Sequence, residues 1–354
     1  MITDIRLQNF RSYGDAAFEF SPGVNIIVGP NASGKTNLLE AVLVVAHGSS
    51  YRAKDQELIE FDKPWTRLDA DSDAGQRTIK IVTNPKPGKT YELNGKAYQR
   101  LSLQHALPAV LFEPNHLQLL HGAPDQRRTY LDDLLEQTVV GYGPLRRNYR
   151  RTLAQRNALL KRAKRPTNEE LFPWNLRLSE LGAVIARRRA ELGASINARL
   201  DITYQDISRS TTSTRLDYLA RFPIAHYESH LLHKLEADLP TDIFRGFTAA
   251  GPHREDFIVQ FNGHAAEGTA SRGEVRTLVL ALKIIELSIL EEVRGSRPLL
   301  LLDDVFSELD GARRHALTTH LKDYQTFLTT TDADIVQKDF TQAAQIIPLA
   351  HESA

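Results

Sequence analysis

The sequence predicts an α/β fold with a mixed sheet, flanking helices, an antiparallel β part and an inserted, mainly helical arm. Three features predict it. A glycine loop joins an apolar strand to a helix near the N-terminus, a long charged helical stretch fills the middle, and an apolar run ends in two carboxylates near the C-terminus. We therefore expect the first half of a head domain over residues 1–122, a helical arm over 123–240 and the second half of the head over 241–354.

The glycine loop has the spacing G-x-x-x-x-G-K-[ST]. Its residues are Gly29, Pro30, Asn31, Ala32, Ser33, Gly34, Lys35 and Thr36, and Asn37 follows within the predicted helix. Glycines let the backbone N–H groups curl around an anion, and the helix N-terminus adds partial positive charge. This pattern predicts an ATP site in which Lys35 reaches the β- and γ-phosphates and Thr36 ligates Mg²⁺. The alternative is a glycine-rich turn before a helix.

The acidic strand end is the second predicted part of this site. Residues 299–302 are four consecutive leucines, and Asp303 and Asp304 follow them. A short, fully apolar run is typical of a central parallel strand, and ligands bind beyond the carboxyl ends of such strands. We expect Asp303 to hold Mg²⁺ and Asp304 to orient or deprotonate the attacking water. A helix cap after a core strand is the alternative.

Antiparallel structure is predicted around the glycine loop. Segments 65–70, 78–83 and 89–93 alternate apolar and polar residues, and Asn94-Gly95 is a hairpin signal that recurs at Asn262-Gly263. Two further strands are expected on either side of residues 9–14. Arg11 lies between them, either reaching the nucleotide or remaining a solvated surface charge.

The middle of the chain is strongly basic. Residues 127–199 contain sixteen Lys and Arg against seven Asp and Glu, an excess of nine positive charges in a chain whose net charge is zero. Neutralising nucleic-acid phosphates needs many cations on one surface. A solvated helix face is the alternative. The candidate DNA-binding residues are Arg146, Arg147, Arg150, Arg151, Arg187, Arg188 and Arg189.

Composition limits the class of protein. The chain has 354 residues and no cysteine, which excludes disulfides and thiol chemistry. The first six residues include an acid and a base, and no apolar run reaches the length of a membrane span. We expect a cytoplasmic protein without a membrane partner.

Further motifs support a resemblance to a known family. Ser271-Arg272-Gly273-Glu274 precedes a predicted helix, and Ser307-Glu308-Leu309-Asp310 follows the acidic strand end. Together with the phosphate loop, these motifs resemble the ABC-type P-loop ATPase head shared by transporters and SMC-like chromosome proteins. More closely, the chain resembles the RecF family of bacterial recombination mediators from end to end. The motifs that carry this are 9–13, 29–37, 51–55, 127–128 with 131–132, 248 with 251–254, 271–274, and 301–305 with 307–310.

The resemblance implies an ATP-dependent homodimer in which Ser271 and Gly273 bind the nucleotide held by the other protomer. It also implies DNA binding, recombinase loading at gapped DNA and the partners RecR and RecO. Glu274 stands where the ABC pattern has glutamine, Asp304 where it has the catalytic glutamate, and residues 329–331 are threonines where it has a histidine. The shorter carboxylate and the missing histidine predict slow hydrolysis, with ATP as a timer for a clamp. We expect a weak, DNA-modulated ATPase.

Two other classes of protein remain as alternatives. The nucleotide-binding subunit of an ABC transporter would share the head but has no evident use for a basic arm. A metabolic kinase or GTPase would not need Ser271-Arg272-Gly273, and the sequence contains no N-K-x-D guanine motif.

Overall fold

The computed structural model describes residues 1–162, 164–332 and 344–350. The chain divides into two compact units. The first comprises Met1–Leu117 and Glu286–Ala354, and the second comprises Gln118–Ile285. The first unit is therefore built from both ends of the chain, as predicted for the head. Residues 333–343 and 351–354 of its predicted second half lie outside the described residues.

The described residues form both strands and helices. The strands are β1 (Ile2–Phe10), β2 (Tyr13–Glu19), β3 (Val24–Val28), β4 (Trp65–Ser72), β5 (Arg77–Val82), β6 (Gly88–Leu93), β7 (Lys96–Tyr98), β8 (Ala109–Phe112), β9 (Thr214–Leu219), β10 (Asp256–Phe261), β11 (His264–Ala265), β12 (Leu299–Asp303), β13 (Thr326–Thr330) and β14 (Gln345–Pro348). The helices are α1 (Lys35–His47), α2 (Pro124–Thr138), α3 (Tyr142–Leu160), α4 (Asn168–Ser208), α5 (Tyr227–Ala237), α6 (Leu239–Arg245), α7 (Ala266–Thr269), α8 (Arg272–Arg294) and α9 (Gly311–Leu321).

The first unit contains a five-stranded parallel sheet in the order β14-β3-β13-β12-β8. Every residue of β12 is buried, because this strand has neighbours on both edges. The predicted central strand is confirmed. Strands β8 and β14 at the two edges were not predicted. Since β3 and β12 both pair with β13 in the parallel direction, their carboxyl ends lie at the same edge of the sheet.

A six-stranded antiparallel sheet, in the order β2-β1-β4-β5-β6-β7, completes the first unit. The Asn94-Gly95 turn joins β6 to β7 with positive φ at both residues, 50° and 78°, which confirms this hairpin. Helix α1 is buried at every residue from Leu38 to Ala46. One core cluster contains side chains of α1 and of both sheets, so α1 holds the two sheets together.

The second unit combines helices with a small sheet, in the order β11-β10-β9. Strand β9 lies inside the region predicted to be helical, and it pairs with β10 from Asp256↔Leu219 to Phe261↔Thr214. This pairing ties residues 256–261 to the inserted segment. The boundary between the units therefore falls after Ile285, whereas the sequence prediction placed it after residue 240.

Helix α4 has 41 residues, about 60 Å at 1.5 Å per residue. Thr167 and Glu170 form a capping box at its start. Pro173 lies inside the helix and does not end it. It is only the sixth helical residue, so little of the hydrogen-bond ladder precedes it.

Candidate nucleotide site and candidate DNA interface

The phosphate loop follows β3 and leads into α1, as predicted. Gly34 has φ of 91°, and a Cβ there would lie 2.8 Å from the Tyr13 hydroxyl oxygen. A Cβ on Gly29 would lie 2.6 Å from both the Ser33 Oγ and the Leu349 carbonyl oxygen. Both loop positions therefore require glycine, for steric reasons that the spacing alone does not reveal.

Polar groups in this loop are placed for an anion. The Lys35 ammonium donates to the Gly29 and Pro30 carbonyl oxygens at 2.8 Å each, so it is held over the loop. The Ser33 Oγ is buried, and no residue that the structure describes gives it a hydrogen-bond partner. A buried hydroxyl without a partner is costly, and a phosphate oxygen would satisfy it. These contacts fit a bound phosphate group.

Thr36 and Asp303 meet beside the loop. The Thr36 hydroxyl donates to Asp303 Oδ1 at 3.1 Å, and the Thr329 hydroxyl donates to the same oxygen at 2.8 Å. A hydroxyl and a carboxylate beside a phosphate site suit Mg²⁺, which takes one or two protein oxygens with phosphates and waters completing its shell. Among the described residues there is no cluster of three or more Asp, Glu, His or Cys that could hold a metal. The oxygen donors fit Mg²⁺ held jointly with a nucleotide.

Asp304 has a strained backbone at the strand end. Its φ is 54°, and its N–H donates to the Thr329 Oγ at 2.9 Å. Burial raises the pKa of this carboxyl, the Lys35 charge opposes the rise, and the neighbouring carboxylates of Asp303 and Glu308 add to it. Thr329 thus orients both aspartates. The sequence analysis noted Thr329 only as one of three threonines that stand where the ABC pattern has a histidine.

Arg11 contacts a carboxylate that the sequence analysis did not identify. Its guanidinium forms a bidentate pair with Glu40 of α1, at 2.9 and 3.0 Å, and Arg52 donates to the same carboxylate at 2.9 Å. Burial would raise the pKa of Glu40, but hydrogen bonds from Arg11, Arg52 and Ser50 outweigh it, and the pKa is lowered. Arg11 is thus held by Glu40 and is not a solvated surface charge. Its contact with a nucleotide stays a prediction.

The network continues to Asn37, another predicted binding residue. Its side chain donates to the Ser12 Oγ at 2.9 Å and accepts from Arg52 at 2.9 Å. Sequence spacing could not have identified Glu40, because its position on α1 resembles that of any residue of a core helix. Only its complete burial beside two arginines distinguishes it.

Ser271 and Gly273 lie in the second unit, at the N-terminus of α8. The Ser271 Oγ accepts from the Glu274 N–H, and the Glu274 carboxylate accepts from the Ser271 N–H at 2.7 Å. This capping box gives Glu274 a local role that glutamine could also fill. The Ser271 side chain is exposed, and its hydroxyl proton is not used in the cap.

Two of the seven predicted DNA-binding arginines are buried in ion pairs, which corrects the prediction for Arg146 and Arg189. Arg189 forms a bidentate pair with Asp132 at 2.8 and 2.9 Å and donates to the Pro252 carbonyl oxygen. Arg146 contacts Asp132 at 3.0 Å and also pairs with Asp133. Neither guanidinium is available to a DNA phosphate, because each is buried and neutralised within the unit.

The other five arginines remain candidates. Arg147, Arg150 and Arg151 are exposed on α3, where spacings of three and four place them on one face. Arg187 is exposed on α4, which packs against α3. None of these four forms an ion pair with any residue that the structure describes. Arg188 is half-exposed and pairs with Glu191 at 2.8 Å.

Replacing Asp132 with Ala is expected to lower the free energy of unfolding by about 3–5 kcal/mol, because two buried guanidinium groups would be left without their shared carboxylate. Urea unfolding followed by circular dichroism measures this change. The control is Glu191→Ala, which removes the exposed partner of Arg188 and should change stability by about 0.5 kcal/mol or less. Equal effects of the two substitutions would contradict a structural role for Asp132.

Comparison with known proteins identifies the family. Residues 1–351 match the RecF/RecN/SMC N terminal domain family. The DNA replication and repair protein RecF of Heliobacterium modesticaldum is 35% identical, with 93% of this chain and 92% of that protein covered. The protein of the same name from Picosynechococcus is 34% identical, with coverage of 97% and 94%.

Solved structures agree with these sequence matches. A structure of the recombination mediator protein RecF-ATPrS in the RecFOR pathway superposes with a TM-score of 0.87 at 30% identity, covering 100% of this chain and 98% of that one. An Smc head bound to the C-winged helix domain of ScpA has a TM-score of 0.54 at 16% identity, covering 98% and 94%, and shares the fold. Among the residues that the structure describes, no helix is long and apolar enough to cross a membrane. The chain therefore belongs to the RecF family, within the RecF/RecN/SMC group.

Proposed function

We propose that this protein is an ATP-dependent DNA-binding clamp of recombinational repair, which dimerises on ATP, hydrolyses it slowly and helps to load a recombinase at gapped DNA. The observation that carries the proposal is the bond between Thr36 and Asp303, 267 residues apart, which joins the phosphate loop to the acidic strand end. Relatives named for DNA replication and repair, and a RecF structure with ATP, support the same activity. The cytoplasm is the expected location.

The residues around the loop have distinct roles in this proposal. Lys35 exchanges its bonds to the loop carbonyls for the β- and γ-phosphates, while Ser33 and the backbone N–H groups bind the remaining phosphate oxygens. Thr36 and Asp303 would hold Mg²⁺, which supplies charge neutralisation to the phosphates. Asp304, with its raised pKa, orients the attacking water and accepts a proton from it.

Slow hydrolysis follows from the same residues. Asp304 is shorter than a glutamate by one methylene, and its position is fixed through Thr329. The threonines at 329–331 cannot take up a proton as a histidine can. A low rate of turnover suits ATP as the timer of a clamp.

Dimerisation is assigned to Ser271 and the N–H of Gly273. The hydroxyl proton of Ser271 and the N-terminus of α8 are suited to a γ-phosphate held by a second protomer. A two-fold arrangement would bury two nucleotides in one isologous interface. RecR and RecO are the expected protein partners, since a RecF structure is named for the RecFOR pathway. A transporter subunit is not favoured, because the matching relatives are DNA repair proteins.

Filter binding of labelled duplex DNA tests this function directly. We expect retention with ATP and little retention with ADP or without nucleotide, because only ATP supplies the γ-phosphate shared by two protomers. A variant with Arg147, Arg150, Arg151 and Arg187 replaced by Ala should bind less tightly. The magnitude of the slope of log K against log salt should fall by about 0.9 for each DNA phosphate that the variant no longer neutralises.

The matched control for this test is Arg177→Ala. Arg177→Ala removes an exposed arginine of α4 that is already paired with Glu180, and it should leave the slope nearly unchanged. DNA binding that is absent, or that does not depend on ATP, would contradict the proposed function. A parental salt slope in the four-arginine variant would show that these side chains form only a solvated face.

A further inference from the structure

A basic and aromatic surface of the second unit is used neither by the nucleotide site nor by the arginines assigned to duplex DNA. It is formed where the end of α3, the start of α4 and the end of α6 come together. We call it the basic-aromatic patch and define it by Lys161, Arg162, Lys164, Arg165, Phe244 and Arg245.

The three helices are fixed to one another beneath this patch. Leu160, Leu171 and Leu239, one from each helix, form a buried cluster against which Trp174 and Ile243 pack. Phe244 directly follows Ile243 on α6, so the position of the exposed ring is set by a partly buried neighbour.

A buried ion pair fixes α3 to α6. Arg156 is fully buried and donates to Asp242 and to the Thr248 hydroxyl at 2.7 Å each. A Cβ built on Gly246 would lie 3.5 Å from Lys161 Cγ, so the Lys161 stem passes beside the residues that follow Phe244. Lys161 therefore lies beside the segment that carries Phe244 and Arg245, and Arg162, Lys164 and Arg165 follow Lys161 in the chain.

Phe244 is the most exposed large apolar side chain among the described residues, at 91%. An aromatic ring left in water contributes nothing to the core, and burying it against a ligand is favourable. A second exposed ring, Phe172, lies on α4 next to the buried Leu171. The patch therefore offers, in the ring of Phe244, a flat apolar surface that no part of the described chain covers.

The charge of the patch points to an anionic ligand. Its five cations are exposed, and none forms an ion pair with a described residue. The acids closest to the patch in the sequence are largely engaged elsewhere. Asp242 pairs with Arg156, Asp238 pairs with Lys234, and Glu170 caps α4, which leaves Glu169 as an exposed carboxylate. Positive charge is thus in clear excess.

We infer that the basic-aromatic patch binds single-stranded nucleic acid, with the ring of Phe244 stacked on an unpaired base and the cations on flanking phosphates. Exposed rings beside cations are the usual elements of single-strand binding, since every base has a face on which to stack. A continuous duplex keeps its bases stacked on one another and offers only phosphates. The inference deepens the proposed function and rests on it: the patch would contact the single-stranded part of a gap while the arginines on α3 and α4 contact duplex.

Fluorescence anisotropy with the full-length chain and ATP tests this assignment, using a labelled oligo-dT single strand and a labelled duplex of equal length. We expect Phe244→Ala to lower the ratio of single-strand to duplex affinity by about tenfold, the effect of removing one stacked base. Phe244→Leu should fail to restore the ratio because leucine keeps apolar volume without a ring, whereas Phe244→Trp should restore it. Arg245→Ala should lower the magnitude of the single-strand salt slope by about 0.7.

The control is Phe61→Ala, which removes an equally exposed ring, 88% accessible, from the first unit. It should leave the ratio at the parental value. If Phe244→Ala and Phe61→Ala behave alike while the parent binds duplex with ATP, the single-strand assignment is overturned and the proposed function stands. If the parent binds neither DNA even with ATP, the proposed function fails and this inference fails with it. Restoration of the ratio by Phe244→Leu would replace stacking with a general apolar contact, and would also overturn the assignment.

Discussion

Lys35→Ala is expected to lower the rate of ATP hydrolysis by about 10²–10³-fold and to weaken ATP binding, because the variant lacks the ammonium that is proposed to bind the β- and γ-phosphates and that lies over the phosphate loop. Lys35→Arg keeps the charge, but Lys35 is 7% exposed, so the wider guanidinium has little room beside the loop. We expect this variant to bind ATP and to turn it over poorly. A phosphate-release assay and a fluorescent ATP analogue measure the two properties separately.

The control for Lys35 is Lys63→Ala, which removes an exposed lysine of the same unit and should leave both properties unchanged. Circular dichroism checks that Lys35→Ala is folded, since the substitution also frees the Gly29 and Pro30 carbonyl oxygens. Hydrolysis by Lys35→Ala within a few-fold of the parent would show that the loop does not act on a nucleotide.

Ser271→Arg is expected to abolish ATP-driven dimerisation while leaving ATP binding by each monomer intact. The exposed serine would be replaced by a bulky cation at the α8 terminus, where the γ-phosphate of a second protomer is proposed to bind. Sedimentation velocity with ATP and with ADP measures the outcome. The parent should dimerise with ATP alone.

The effect on the helix cap must be separated from the effect on the interface. Ser271→Ala removes the same capping bond to the Glu274 N–H, worth about 1 kcal/mol, without adding bulk, and should weaken the dimer only in part. Ser271→Thr keeps both the cap and the hydroxyl and should dimerise like the parent. Asp304→Asn should slow hydrolysis and lengthen the life of the ATP dimer. A parent that dimerises equally with ADP, or a Ser271→Arg dimer as tight as the parental one, would refute the scheme.

Features that depend on short-range backbone chemistry could be predicted from the amino-acid sequence alone. The phosphate loop, the buried strand before Asp303 and the Asn94-Gly95 hairpin all occur where they were predicted. Each is encoded within about ten residues, because a positive φ, a missing Cβ or an uninterrupted apolar run acts on its immediate neighbours. The two-part head could also be anticipated, since its motifs stand at both ends of the chain.

The charges that are available to a ligand could be identified only in the folded protein. The basic excess over 127–199 counted Arg127 and Arg156, yet these pair with Asp256 and Asp242, which lie outside that window. An ion pair between residues about a hundred positions apart cannot be recognised from local composition. The excess of Lys and Arg over 127–199 is therefore larger than the positive charge that is available to a ligand.

The same reason explains the other differences from the sequence prediction. In the sequence, Glu40 resembles any residue of a core helix, and only the structure shows that Arg11 and Arg52 form ion pairs with it. Thr329 acquires a role because β13 pairs with β12 and brings its hydroxyl to Asp303. The boundary between the units lies after Ile285 and not after residue 240, because β10 pairs with β9, a distant strand of the inserted segment. Burial and pairing between distant segments are properties of the folded chain, and they determine which polar groups bind a ligand and which hold the protein together.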